Sequence, residues 1–530
     1  MYIEKLKVRN LKALRSLDLA LRPDVNIIVG DNAEGKSTIL EAVNAALTGQ
    51  WNGRPMQYEL HPLLFSRSAS DSYVDDLQAG ESPEPPTLSI ELFLADVDDL
   101  AILKGTNNSE KTDCPGLCIT VSFDKKYAPE YAAYIKDPER IKTIPTEFYS
   151  VRWSSFSDRD LTARSVPIKC TSIDGTSMRG LGIADRFFSN LANGILSPAQ
   201  RAELSLTYRQ MKYEFSEDPH VKDINAELTK KRGEISDKHI SVSLDTTTRS
   251  TWESGISLHL DDIPLSLEGK GEQNMVKVNL AMDDGFDAHV FLIEEPENHL
   301  SHSNMNRLIG RLASKGEGKQ LILTTHSSFV LNKLGLEGLI LLSGGNYASL
   351  EKLNPDTYDY FMKLPGFDTL RLILSKKAIL VEGPSDELVV QRAYKDKFGK
   401  MPLEDGVDVI TVRGLSFKRF LEIAKLLNLE IRVVTDNDGD VAALDKKYEE
   451  YSGLPNIAIC FDKDETAKTL EPQILKANNR AILSKILGKA FGSDEELLKH
   501  MANNKSECAM KIFTSETKIT VPEYIKLAVA

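Results

Sequence analysis

The stretch Val25 to Thr38, VNIIVGDNAEGKST, constrains this chain more than any other. Val25, Ile27, Ile28 and Val29 read as a buried strand. The strand breaks at Gly30, and residues 30–37 match G-x-x-x-x-G-K-[ST] position for position. Ile39, Leu40, Val43, Ala46 and Leu47 then fall on one face of a helix. Strand, glycine loop and helix are the context in which this motif binds phosphate. Gly30 and Gly35 let backbone N–H groups close around the anion, and the N-terminus of the helix faces it. Lys36 is expected to reach the β- and γ-phosphates and Ser37 to hold Mg²⁺, with Asn32 and Thr38 beside them. A plain Gly/Ser loop ahead of a helix is the bland alternative, and the flanking elements argue against it.

With 530 residues the chain has room for roughly two to four domains of ~150 residues. No apolar run approaches the ~20 residues that span a bilayer. The N-terminal MYIEKLKVRNLKAL lacks an apolar signal core, so a cytoplasmic location without membrane partners is expected. Five scattered cysteines make no disulfide framework, and Cys114-x₃-Cys118 has no second pair to complete a zinc site. The net charge of −13 excludes global attraction to nucleic acid and leaves room for a local basic patch.

Along the chain, alternation over residues 1–22 suggests two short strands turning near 10–14. They are expected to join the sheet of the strand that enters the phosphate loop. Residues 66–76 and 80–86 read as loops, 88–94 and 117–123 as strands. Ser197-Pro198 opens a helix over 201–215, and 223–232 stays helical. This helical segment is read as an inserted helical arm or dimerisation module, much too short for the long coiled coil of an SMC-type protein. Residues 240–262 read as strand-rich, and 378–435 alternate strand and helix as a parallel α/β unit.

The second half of a nucleotide site lies between residues 265 and 330. Val290–Ile293 is an apolar strand that ends in Glu294 and Glu295, a Walker B arrangement. Glu294 would reach Mg²⁺ through water, and Glu295 would orient or deprotonate the attacking water. Leu321–Thr325 is a further strand, and it delivers His326 to the place of a γ-phosphate-sensing switch histidine. Upstream, Gly269-Lys270-Gly271-Glu272-Gln273 resembles the ABC signature S-x-G-x-Q. Gly271 and Gln273 fit, and Gly269 stands where serine is common. In ABC-type ATPases one subunit's signature completes the ATP site of the other. A chain with one Walker A motif is therefore expected to pair as a homodimer.

A carboxylate cluster follows. Ala378–Val381 ends in Glu382-Gly383-Pro384-Ser385-Asp386-Glu387, and Ile431–Thr435 ends in Asp436-Asn437-Asp438. Acids at the carboxyl ends of parallel strands line a ligand crevice. They repel one another unless a divalent cation such as Mg²⁺ or Mn²⁺ neutralises them. An EF-hand reading of DNDGD fails, because Val441 and Lys447 stand where glycine and the bidentate glutamate belong. Solvated turn acids are the remaining bland reading, and the buried strand ahead of each cluster speaks against it.

The set VEGPSDE, VRG and TDNDGD resembles a Toprim domain. An ABC-type ATPase fused to such a domain resembles the OLD (overcoming lysogenization defect) family of nucleases, which includes subunits of Gabija-type and retron-associated phage defence. The resemblance covers nearly the whole chain. It implies an α/β fold: a divided ABC-type ATPase (1–165 and 241–370), an inserted helical dimerisation segment (166–240) and a parallel α/β Toprim domain (371–530). It implies Glu382, Asp386, Asp436 and Asp438 as metal ligands, with Glu471 from a later acidic motif and Lys505 from a C-terminal lysine motif. It also implies ATP and Mg²⁺ or Mn²⁺ as cofactors and an endonuclease acting on DNA. A higher even-numbered oligomer is the alternative to the dimer, and the partner implied is a helicase-like protein, a reverse transcriptase or another defence component. RNA such as tRNA is the alternative substrate. A RecF-like nucleotide-gated DNA sensor with a silent Toprim site is the alternative of another class.

Overall fold

The computed structural model describes residues 1–30, 34–174, 195–231, 236, 238, 240–245, 252, 256–282, 288–315, 318–327, 330–331, 334, 338–343, 346–349, 353–363, 371–372, 375, 377–412 and 416–530. Asn32 of the phosphate loop and Arg413-Gly414 of the VRG motif lie outside them. Contacts divide the chain into two units, residues 1–166 with 322–530, and residues 167–321.

The first unit opens with β1 (Ile3–Leu11) and β2 (Leu14–Ala20), antiparallel, with Val8 opposite Leu17. The turn between them is tight enough to need positive φ at Asn10 and Lys12. β3 (Val25–Gly30) runs into the phosphate loop and α1 (Lys36–Thr48). Residues 67–78 form a helix, α2 (Arg67–Gln78), where the sequence suggested a loop. Tyr73 and Leu77, one turn apart, are its buried residues. β4 (Leu88–Leu94), β5 (Cys114–Phe123) and β6 (Tyr149–Ser155) continue the antiparallel sheet in the order β2-β1-β4-β5-β6.

The second unit contains β7 (Cys170–Asp174) and the helices α3 (Pro198–Glu217) and α4 (Pro219–Lys230). A capping box starts α3: Ser197 accepts from the Gln200 N–H, and Gln200 accepts from that of Ser197. The strand-rich expectation for 240–262 is not met among the described residues, where 240–245 has no regular structure and only His259–Leu260 and Ile263–Pro264 pair. The signature helix is α5 (Lys270–Ala281). β8 (Val290–Glu294) runs parallel to β7, with Ile173 beside Ile293. α6 (His302–Lys315) follows.

β9 (Gln320–Thr324) leads back into the first unit, where β10 (Leu339–Ser343) and β11 (Asn346–Ser349) follow. β3 pairs in parallel with β10, Ile28 beside Ile340, and belongs to this second sheet. That corrects the expected partnership with β1 and β2. Both sides of β1 are already taken, by β2 and β4, so β3 finds its partner more than 300 residues downstream. α7 (Pro355–Lys363) packs on the C-terminal α/β domain, Phe361 edge-on to Phe420 and Tyr360 under the Arg419 guanidinium.

The C-terminal α/β domain has, among the described residues, a four-stranded parallel sheet, β13-β12-β14-β15. Its strands are β12 (Lys377–Val381), β13 (Val407–Thr411), β14 (Glu430–Val434) and β15 (Ile457–Cys460). α8 (Pro384–Phe398) follows β12, α9 (Phe417–Leu427) precedes β14, and α10 (Val441–Lys447) follows it. The C-terminal part is helical, with α11 (Leu470–Ala477), α12 (Arg480–Leu487), α13 (Asp494–Asn503), α14 (Lys505–Thr514) and α15 (Glu523–Ala528). Val381, Val390, Val434, Ile474, Leu497, Ile512 and Ile525 share one buried core. It fixes α8, α11, α14 and α15 to the strands. No helix among the described residues is long and apolar enough to cross a membrane.

Candidate active site

The phosphate loop is bounded by two glycines with different reasons to be there. Gly35 caps α1 at φ 97°, a conformation that side chains rarely tolerate. At Gly30 a Cβ would lie 2.7 Å from the Leu342 carbonyl oxygen of the neighbouring strand. Lys36 is buried and donates to the Gly30 carbonyl at 2.9 Å, so its ammonium already lies within the loop. Thr38 is buried and Ser37 exposed. The Thr325 N–H donates to Ile28 O at 3.2 Å, so the strand that delivers His326 runs beside the one that enters the phosphate loop.

In the second unit the signature and the Walker B corner touch. Asn274 donates to the carbonyls of Pro296 (3.3 Å) and Asn298 (3.4 Å). A Cβ on Gly271 would come within 2.5 Å of His299 O. Glu295 has φ 42° and accepts from Asn298 at 2.7 Å. Glu294 ends β8, half-buried. Gln273 turns back on its own helix start and donates to Glu268 O at 2.8 Å. Gly269, at φ −59°, has open space where a Cβ would be.

The Toprim acids are positioned by strand register. Val381 pairs with Val434, so Glu382 and Thr435 leave the sheet side by side. Glu382 Oε1 accepts from Thr435 Oγ1 at 2.5 Å and from the Asp436 N–H at 2.8 Å. Asp386 lies in the first turn of α8 and accepts from the Gly383 N–H at 3.1 Å. Glu471 is buried in the first turn of α11, with Thr469 donating to it at 3.0 Å and Lys505 paired with it at 3.3 Å.

The electrostatics show that these groups feel one another. Burial pushes the Asp436 carboxyl up to about 8, with Glu382, Asp386 and Glu471 adding to the rise and Lys505 opposing it. Burial, then Glu382, raises Asp386 to about 6. Glu382 and Asp436 adjoin through a hydrogen bond, and the charges of Asp386, Glu471 and Lys505 act on Asp436. Asp438 differs: it is exposed, at φ 49°, and its side chain makes no hydrogen bond among the described residues. No three His, Cys, Asp or Glu side chains among the described residues stand as a ready-made metal cage. The donor chemistry nevertheless fits a hard divalent cation, because the half-buried Glu382, Asp386 and Asp436 and the buried Glu471 repel one another, with Lys505 opposing them.

Sequence reasoning did not single out four further residues of this site. Thr435 holds Glu382. Asn437 is 1% exposed and bonds the next loop. The Tyr448 hydroxyl is buried without a hydrogen-bond partner among the described residues, and burial and the charge of Glu382 push it up to about 12. Tyr524 is buried, and burial and then Asp436 raise its hydroxyl well above the usual range. An amide standing among the acids of DNDGD was the one visible signal for Asn437. Both tyrosines are buried as they stand, which does not suit a topoisomerase-like nucleophile.

Two family models match, one over the nucleotide-binding part of the chain and one over the C-terminal part. The family model "Overcoming lysogenization defect protein-like, TOPRIM domain" matches residues 373–438. The model "AAA domain, putative AbiEii toxin, Type IV TA system" matches residues 25–332. The DNA replication and repair protein RecF of Lactobacillus delbrueckii subsp. bulgaricus is 22% identical over 320 residues, which are 54% of this chain and 79% of that protein. The C-terminal region of the Xanthomonas campestris pv. campestris OLD protein is 19% identical, covering 29% of this chain and 93% of that one at a TM-score of 0.23. The Smc head domain with an extended coiled coil from Pyrococcus furiosus, solved bound to the C-terminal domain of ScpA, is 14% identical. It covers 66% of this chain and 97% of that one at a TM-score of 0.34. One family model spans more than half of the chain and the second lies behind it, so the chain belongs to this AAA-domain family and carries the Toprim domain of the OLD family at its C-terminal end.

Proposed function

We propose that the chain is an ATP-regulated, divalent-metal-dependent endonuclease that cuts DNA at its Toprim site, in defence against phage. The observation that carries this reading is the meeting of Glu382 with Asp436, backed by Asp386, Glu471 and Lys505. Glu382, Asp386, Asp436 and Asp438 would hold Mg²⁺ or Mn²⁺. Such an ion polarises a phosphodiester and activates water. The protein's own groups do the rest. Lys505, half-exposed above Glu471, offers its ammonium to charge building on the phosphate. In the metal-free chain the Asp436 carboxyl is raised to about 8, so taking up the cation would release its proton. The likeness to a DNA replication and repair protein favours DNA over RNA.

ATP would act through Lys36, Ser37, Glu294, Glu295, His326 and the signature loop, drawing two chains together and changing access to the Toprim crevice. Contacts made only in the ATP state supply the differential affinity that such a shift requires. The test is cleavage of supercoiled plasmid and of tRNA, side by side, with Mg²⁺ or Mn²⁺. The expected result is plasmid nicking by the wild type and a loss of at least about a hundredfold in Asp436→Ala. Equal cleavage by both proteins would end the assignment of the metal site, and cleavage of tRNA alone would move the substrate to RNA.

A second reading is favoured by the RecF likeness: a nucleotide-gated DNA-binding protein with a silent Toprim site. ATP turnover without cleavage under Mg²⁺, Mn²⁺ and Co²⁺ would select it.

A further inference from the structure

The residue between the two acids of the DND corner is built into the protein more firmly than either acid. Asn437 is 1% exposed. Its Oδ1 accepts the Gly439 N–H at 2.9 Å. Its Nδ2 donates to the carbonyls of Asp462 (2.8 Å) and Asp464 (2.9 Å), with that of Ala467 at 3.4 Å. The amide thus uses its donors and its acceptor together. The Ala467 carbonyl also accepts from Gln473 Nε2 at 3.0 Å, and Gln473 Oε1 accepts the Tyr524 hydroxyl. Gln473 is 1% and Tyr524 4% exposed. Tyr524 lies on α15, which packs against β14 and β15.

We infer that Asn437, with Gln473 and Tyr524 behind it, is the positioning element of the Toprim acids, setting the backbone from which Asp436 and Asp438 project. This rests on the nuclease reading above. The loop needs such a hold. Asp438 and Gly439 take consecutive left-handed conformations, φ 49° and 84°. For a non-glycine residue this persists only where the surroundings enforce it. The Asn437 carbonyl does so by catching the Gly439 N–H, and its NH₂ pins the same turn to the 462–467 loop. That loop leads into α11, which carries Glu471 and Gln473. One chain of buried hydrogen bonds therefore ties the DND corner to the helix of the later acidic motif and to the C-terminal helix. A group that only orients ligands changes how tightly a cation is held more than what happens once it is held.

The test titrates Mn²⁺ against plasmid cleavage and, separately, measures nucleotide-free Mn²⁺ binding by electron paramagnetic resonance, with Asp436→Ala as the reference for a lost site. Asn437→Ala should raise the half-maximal Mn²⁺ concentration about ten- to a hundredfold and weaken binding to match, with kcat at saturating Mn²⁺ within about twofold of wild type. Tyr524→Phe removes one hydroxyl and should give a smaller shift of the same kind. The double variant should be no worse than Asn437→Ala alone, because both act along one chain. An unchanged Mn²⁺ midpoint in Asn437→Ala, or additive losses in the double variant, overturns the inference. Should Asn437→Ala fail to fold, Tyr524→Phe decides, and an unshifted midpoint there also overturns it. If wild type binds Mn²⁺ no better than Asp436→Ala, the nuclease reading itself falls and takes the inference with it.

Discussion

At the head of the Toprim sheet, one carboxylate oxygen of Glu382 already accepts two hydrogen bonds while the carboxyl it faces, Asp436, is held near 8. The consequence for stability has a definite sign. An unfolded Asp titrates near 3.8, so between about pH 4 and 8 the folded chain binds a proton that the unfolded chain does not. Stability therefore falls as pH rises through that window, and Asp386, raised to about 6, adds to the fall over its lower half. Asp436→Asn removes the charge while keeping the shape. In chelator-treated protein its melting temperature should match wild type near pH 4. By pH 8 it should exceed it by a few degrees, a gap on the order of that expected for relieving one buried charge in a large protein. Mg²⁺ at pH 8 should close the gap by raising wild type alone. Parallel melting curves across the whole pH range would mean that Asp436 is not under this strain.

At the scale of elements, the signature loop carries two glycines with opposite requirements. Gly271 is pressed against His299 O, whereas Gly269 caps α5 at φ −59° with free space around it. Serine fits at 269 without strain, and a Ser cap exceeds a Gly cap by a few tenths of a kcal/mol. Gly269→Ser should keep or slightly raise both melting temperature and ATP turnover. Gly271→Ala should lower both, as its Cβ must displace backbone. Equal behaviour of the two in differential scanning fluorimetry and phosphate release would contradict the packing. The same contrast bears on what the sequence makes legible. Elements that carry their own punctuation could be read directly: β3 with its glycine loop, α3 with Ser197-Pro198, β12 and β14 with their acidic ends. α2 could not, because Tyr73 and Leu77 are its only buried residues in a run of serines and aspartates. The sheet of β3 was misassigned because alternation identifies a strand but not a partner, and Ile340, beside Ile28, is remote in sequence. Around Glu382 and Asp436 the acids stand at visible strand ends, while Asn437, Gln473 and Tyr524 are held by burial and hydrogen bonds that no local pattern encodes.

For the whole molecule, the question is whether one chain can complete a nucleotide site. The chain has a single phosphate loop, in the first unit, and a single signature-like loop, in the second. If ATP joins two chains head to head, each site combines Lys36 of one copy with the signature of the other, and complementation can detect it. Lys36→Ala disables the phosphate loop and leaves the signature intact. Gly269→Asp does the reverse: the backbone at 269 accepts aspartate, which caps a helix well but sets a carboxylate against an incoming γ-phosphate. Each variant alone should lack ATP turnover. Mixed in equal amounts, half of the dimers would pair unlike chains, and each of these would hold one intact site. Turnover should therefore return to about a quarter of wild type if sites act independently. Sites completed within a single chain would give none on mixing, because each copy then carries its own defect. Recovery on mixing, together with ATP-dependent doubling of mass in light scattering, is the outcome that an ATP-driven pair of chains requires.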